Sequence, residues 1–324
     1  MDPFIIARAG LRFSDLLGNV PGGIAQGIIW GIMALGLYIT FRLLEISDLS
    51  VDGTFTTGGA VTVMLILAGW NPAAAILAAF IAGMIAGTVT GLLHTGLGIP
   101  AILSGILTQF ALWSVNLAIM GFSANKALNV AKYDLLISSR NINSAIIIGL
   151  VFAAVLIGIM YWFFGTETGS AIRATGCNPE MSKAQGININ VMKVIGLALS
   201  NAVVAMAGGL MAQFQGFADI NMGRGAIVIG LAAIIIGEVA HDAVMGKRVN
   251  FAGRLSFVVV GGIIYYLVVV VVLWLRLNSN MLKFFTAVIV AVFLAFPNIR
   301  SHSQNSFARA GRNSIRTLNG KGSE

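Results

Sequence analysis

The sequence predicts an all-α fold: a polytopic transmembrane helical bundle of about eight or nine spans, one of them broken or re-entrant. Three observations predict it. Hydrophobic residues fill 57% of the 324 positions and charged residues only 10%, against about 25% charged in soluble domains, so too little polar surface exists to wrap a globule in water. The mean hydropathy is +0.90, and apolar runs of about twenty residues, the length that spans a hydrocarbon core of about 30 Å, recur along the chain. Lys and Arg fall between those runs and in the tail, as charges that orient membrane proteins do.

Residues 1–20 read as an amphipathic segment suited to a membrane surface, with Phe4, Ile5, Leu11, Leu16 and Leu17 set against Arg8, Arg12 and Asp15. One membrane domain over 21–298 follows. Its clear runs are 24–44, 73–93, 99–120, 145–164, 191–213, 226–239, 251–275 and 281–296, and 55–69 is a shorter run that opens with Thr and Gly. Residues 299–324 form a basic tail rich in Ser, Asn, Gly and Arg, expected to be disordered.

Placing the positive charge inside puts Arg8, Arg12, Arg173, Lys183, Lys193, Lys247, Arg248, Arg254 and the tail in the cytoplasm. Lys126, Lys132, Arg140, Arg224, Arg276 and Lys283 lie on the other side. Both termini are then cytoplasmic, and an even number of crossings separates the N-terminus from the loop at 165–190. Four full runs and one short run precede that loop. The stretch 45–69, with Glu45, Asp48, Asp52 and the Gly58-Gly59 pair, is therefore expected to be broken or re-entrant inside the protein, where irregular backbone is tolerated. The other reading is an external loop followed by an ordinary helix, with the N-terminus outside. Gly83, Gly87 and Gly91 make a smooth stripe for close backbone approach, within one subunit or between two.

The chain offers no catalytic constellation, and it is not read as an enzyme. It lacks the G-x-x-x-x-G-K-[ST] loop. The net charge of +8 sits in loops and tail, which argues for orientation rather than for binding nucleic acid. Cys177 is alone, so no intrachain disulfide forms. The histidines are scattered, and His241-Asp242 reads as a polar helix end rather than a metal or proton site.

The loop GTETGSAIRATGCNPEMSKAQGININ, at 165–190, holds start and stop signals for two short helices. Gly169–Thr175 forms one, with Gly176 as its left-handed end. Asn178 is the N-cap of the second, Pro179 its first residue, and Glu180 complements the dipole; Gly186 ends it. Exposed Arg173, Glu180 and Lys183, among the small residues Ala171, Ala174, Ser182 and Ala184, make a knob that a soluble motor subunit can grip. An ordinary capped connector is the plainer reading.

Gly169, Ala171-Ile172-Arg173-Ala174, Gly176, Asn178-Pro179 and Gly186-Ile187, followed by Ala205-Met206-Ala207-Gly208-Gly209, resemble the permease family of branched-chain amino-acid and ribose ABC importers. Ser182-Lys183-Ala184 departs from the pattern, which often places Ala earlier. The stretch from Phe41 to Phe55, Trp70-Asn71-Pro72 and Gly91-Leu92-Leu93-His94-Thr95 look closest to the subgroup for aromatic amino acids and related solutes. The resemblance covers most of residues 24–297. It implies a bacterial inner-membrane homodimer, a pair of cytosolic ATPase subunits that bind the ATP and Mg, and an extracytoplasmic substrate-binding (lipo)protein. The chain itself then carries no cofactor. Arg173, Ala174, Gly176, Asn178, Pro179, Glu180, Lys183 and Gly186 become the coupling element inserted into an ATPase groove.

Polar side chains inside apolar runs are costly and face the protein interior or a pathway. Gln109, Trp113 and Asn116 share a helix face, with Ser104 and Thr108 in a neighbouring stripe; Asn201 and Gln213 lie on a later helix, and Asp52, Thr54, Thr56 and Thr57 in the broken segment. Asp52, Thr54, Thr57, Thr108, Gln109, Asn116 and Asn201 are the candidates for lining a solute route. The alternative is interhelical hydrogen-bond glue, with Ser and Thr bonding their own backbone. Asp52, beside Gly53, also reads as a helix cap. A stand-alone secondary transporter would need a coupling-ion site near midplane, for which Asp52 and Glu45 are the candidates in the first half.

Overall fold

The computed structural model describes residues 13–130, 132–245 and 250–275, with positions 288 and 291 in addition. The chain divides into two units, Met1–Leu277 and Asn278–Glu324, and the fold described is that of the first. Residues 1–12, the tail at 299–324 and all but two positions of the expected span at 281–296 lie outside the described residues.

The helices follow the apolar runs closely. α1 spans Phe13–Tyr38 and continues as a π-helical turn at Ile39–Leu43. α2 is Val51–Leu67, α3 Pro72–Thr95 and α4 Ala101–Ile119. The strand β1, Asn125–Ala127, precedes α5, Ile142–Gly165. The short helices α6, Glu167–Cys177, and α7, Pro179–Ala184, come next, then α8, Ile189–Gln215. β2, Phe217–Asp219, leads into α9, Ala226–Met245, and α10, Phe251–Trp274. Seven of these helices are long and apolar enough to cross a membrane, and α2 is a shorter apolar helix. Residues 13–20, assigned by pattern to a surface segment, form the first turns of α1.

Contacts fix which end of each helix is which. The last turn of α1 meets α6 where Gly176 touches the Leu43 carbonyl, and Leu44 meets Gly196 near the start of α8. Arg42 holds Glu238 near the end of α9, and Tyr38 faces Phe251 at the start of α10. The start of α1 instead shares a hollow with the last turn of α10, lined by Asp15, Asn19, Leu273 and Trp274. β1 and β2 pair antiparallel beyond the ends of α4 and α8. The bundle thus has an α6–α7 end and a β end. Arg173, Lys183, Lys193 and Arg254 gather at the first, and Lys126, Arg140 and Arg224 at the second, the partition that the charge pattern predicts.

The stretch 45–69 is broken as expected, at its start. Glu45 takes a left-handed φ of 54°, residues 45–49 are irregular, and α2 then runs to the β end. A partly buried irregular stretch plus a helix of 17 residues still carries the chain from end to end, so α1 through α5 make five traverses. α1 therefore begins at the end opposite the α6–α7 loop. This corrects the even count of crossings: backbone breaks inside the crossing, and the crossing is still made.

α2 is the central helix, with residues on every side buried, and apolar or small surface all round marks a helix enclosed by others. Small residues let it sit there. A Cβ at Gly58 would overlap the Ala205 backbone, and one at Gly208 the Phe55 carbonyl. The stripe of Gly83, Gly87 and Gly91 packs on α8 at Asn201, Leu197 and Val194, so that close approach lies within the chain. Trp30 stacks on Phe55 at 4.9 Å and on Tyr266 at 5.9 Å, tying α1, α2 and α10 together.

Candidate functional site

The first turns of α2, the face of α4 and the connection from β2 to α9 enclose a cleft of about 440 Å³. That lies within the range of about 300–1,000 Å³ common to small-molecule sites. Asp52, Gly53 and Thr56 form one wall, Gln109, Phe110, Trp113 and Asn116 another, and Arg224 the third. Phe110 and Trp113 are 72% and 47% exposed, so an aromatic surface borders the polar groups.

Each polar group is held for a reason. The Asp52 carboxylate accepts from the backbone N–H of Gly225 and of Ile227, both at 3.0 Å. It caps the N-terminus of α9 from another helix, where unpaired N–H groups and the helix dipole both favour an anion. The Thr56 hydroxyl donates to the Asp52 carbonyl at 3.1 Å and accepts from the Gly223 N–H at 3.2 Å. The stretch 223–227 is thereby fastened to α2, and exposed Arg224 is held in the cleft wall. Asn116 donates to the Gly53 carbonyl at 3.2 Å, while its own buried Oδ1 has no partner among the described residues. An unfilled buried acceptor beside a cleft is a place for a ligand donor.

Three of the seven candidate route residues, Asp52, Gln109 and Asn116, meet in this cleft, together with Trp113 from the same predicted face. Thr54, Thr57, Thr108 and Asn201 do not line it. Thr54 and Thr57 donate to the carbonyls of Ser50 and Gly53. Thr108 donates to Ser104 and accepts from the Thr90 hydroxyl at 3.0 Å. Their hydroxyls serve the helices, as the glue reading has it.

Asn201 belongs to a second constellation, centred on a residue absent from the candidate list. Asp48 is fully buried. Its Oδ1 accepts from the Ser50 N–H at 2.8 Å and the Ser50 hydroxyl at 2.6 Å, and its Oδ2 from the Asn201 amide at 2.7 Å. The D-x-S spacing signals the local turn; the link to α8 has no sequence signal. Arg224, which the sequence marks only as a loop charge, is the other residue of the site that spacing does not reveal.

At the opposite end α6 and α7 form a knob seated on the bundle. Thr166 caps α6, accepting from the Gly169 N–H at 3.3 Å. Asn178 caps α7, accepting from the Met181 N–H at 3.0 Å, with Pro179 first in the helix. Gly186, at φ 82°, ends it. Ile172, Thr175 and Ser182 are buried against the bundle, and Ala174, Asn178, Pro179, Glu180, Met181, Lys183 and Gly186 are exposed. Two expectations change. Gly176 is not left-handed but lies inside α6, where a Cβ would overlap the Leu43 carbonyl. Arg173 is half-buried rather than on the exposed face; it donates to the Ser170 hydroxyl at 3.2 Å and lines a hollow with Phe164 and Phe251. At the end of α9, His241 is buried with its ring edge-on to Phe257 at 5.3 Å.

Knob and cleft are joined through residues 43–52: Gly176 rests on Leu43, Asp48 is bonded to α8, and Asp52 caps α9 in the cleft wall. The family described as the permease component of branched-chain amino-acid transport systems matches residues 19–297. A tyrosine transport system permease protein of Clostridioides difficile is 37% identical over 274 residues, 85% of this chain and 90% of that protein. An uncharacterized protein of Rickettsia prowazekii is 33% identical, over 66% of this chain and 74% of that one. An autoinducer 2 import system permease protein of Yersinia pseudotuberculosis is 28% identical, over 64% of this chain and 59% of its own length. No solved structure matches the chain.

Proposed function

The chain belongs to the permease-component family of branched-chain amino-acid transport systems, and from that premise we propose that it forms the translocation pathway of an ATP-driven importer of an amino acid, with an aromatic side chain favoured. The observation that carries this reading is the cleft. Arg224 suits a carboxylate, the Asn116 Oδ1 lacks a donor, and Phe110 and Trp113 offer ring faces. The name of the tyrosine transport relative supports an aromatic solute.

In this reading two copies of the chain enclose the pathway, and an extracytoplasmic binding protein delivers solute at the β end. A cytosolic ATPase dimer, which holds the ATP and Mg, grips the exposed surface of α6 and α7: Ala174, Asn178, Pro179, Glu180, Lys183 and Gly186. Closure of the ATPases pushes the knob, and residues 43–52 pass the movement to α2 and the N-terminus of α9. The α6–α7 end then faces the cytoplasm of a bacterial cell, as its basic residues favour.

The test is ATPase activity of the chain with its captured subunits in lipid, with candidate amino acids and their binding protein. Stimulation by tyrosine or tryptophan, lost on Arg224→Ala, is the expected result. Uptake driven by a proton gradient without any ATPase, and abolished by Asp52→Asn, would make the chain a secondary transporter instead.

A further inference from the structure

Two hollows meet on the outer surface near the α6–α7 end. One is an apolar groove of about 380 Å³ between α3, α5 and α8, walled by Leu77, Phe80, Val155, Ile159 and Met206 with hardly any polar surface. The other, of about 460 Å³, lies where α5 passes into α6 and holds Arg173, Thr166, Tyr161 and Phe251. Trp162 and Phe164 line both. Among the described residues Arg173 forms no ion pair and its buried Nε has no hydrogen-bond partner. A guanidinium with an unfilled buried donor is set for an oxyanion. Tyr161 and Trp162, 57% and 71% exposed, stand where aromatic side chains mark the level of lipid headgroups.

We propose that Arg173 and the groove beyond Trp162 together bind one anionic phospholipid, its phosphate on the guanidinium and one acyl chain along α5. Charge complementarity selects the occupant. A basic site at the end of an apolar groove, on the face where Lys183, Lys193 and Arg254 also gather, matches the anionic leaflet of a bacterial membrane. A zwitterionic lipid fills the groove equally well but leaves the guanidinium shared with its own choline. The lipid then rests against α6, so that the membrane itself braces the knob. This goes beyond the transport reading and stands or falls without it.

The full chain in vesicles of phosphatidylcholine with brominated phosphatidylglycerol supplies the test. The tryptophan quenching lost on Trp162→Phe reports lipid at this position. Phosphatidylglycerol is expected to outcompete phosphatidylcholine about fivefold, the order set by one basic residue at an anionic surface. Arg173→Lys should keep the preference, Arg173→Gln should abolish it, and Lys183→Gln should leave it unchanged. Filling the groove with Ile159→Trp, in a Trp162-retaining chain with binding read by native mass spectrometry of co-purified lipid, should lower retention. Equal preference for the two lipids in the unaltered chain would overturn the proposal, as would a preference untouched by Arg173→Gln. Displacement of the brominated lipid by glycerol phosphate alone would reduce the site to a plain anion site and overturn the role of the groove.

Discussion

A carboxylate with no exposed surface is tolerated only when its oxygens are filled by donors, because an unfilled buried charge is costly. Asp48 meets that condition through Ser50 and Asn201, and it does so inside the stretch where backbone regularity fails. Removing the acceptor by Asp48→Ala strands those donors, at roughly 1–3 kcal/mol each, and thermal unfolding in detergent should show a clearly lower midpoint. The more telling change is Asp48→Asn, which turns an amide donor toward the Asn201 amide donor. Exchanging the pair, Asp48→Asn with Asn201→Asp, restores one donor and one acceptor and should recover most of the loss. A double variant no better than the sum of its parts would show that the two side chains are not coupled. Asp52 differs in kind: its partners are backbone groups of α9, so its replacement loosens a helix end and a cleft wall at once.

At the level of elements, α7 was legible almost residue by residue. Asn178, Pro179, Glu180 and Gly186 act through short-range stereochemistry, and the same rules act in any fold. Asn178→Ala should cost about 1 kcal/mol of local stability and weaken capture of the ATPase partner in co-purification, while Asn178→Asp should preserve it. Gly176 was misread because its reason is not local. Propensity alone makes Gly176→Ala favourable to a helix by about 1 kcal/mol, whereas the Leu43 carbonyl leaves no space for a methyl group. The structure therefore predicts the opposite sign: a loss of about 1–3 kcal/mol, as for other overpacked sites, seen as a lower unfolding midpoint. A rise would mean that α6 does not rest on the end of α1. The cleft was half legible for the same reason. Gln109, Trp113 and Asn116 share a helix face that spacing reveals, but the arrival of Asp52 and Arg224 beside them depends on the packing of α2 and α9.

For the whole molecule the question is which end each helix begins from. Among the described residues, charge counting sorts the loops between the two ends as the helices do, because each loop carries its charges wherever its helices lead. The count of crossings goes wrong at the broken stretch, which still carries the chain from end to end. The contacts of α1 settle its course instead: Asp15 and Asn19 lie by the last turn of α10, and Arg42 and Leu43 by α9 and α6. Cysteine labelling tests this directly, since Cys177 is the sole cysteine and exposed on the knob. A membrane-impermeant maleimide should label it in inside-out vesicles and not in right-side-out ones. In a Cys177→Ser background, Asp15→Cys and Asn143→Cys should show the reverse pattern, and both together, because both positions lie at the β end. If Asp15→Cys reacts from the side that Cys177 does, α1 does not traverse the bundle as described. Residues 43–52 could then no longer carry movement from the knob to the cleft.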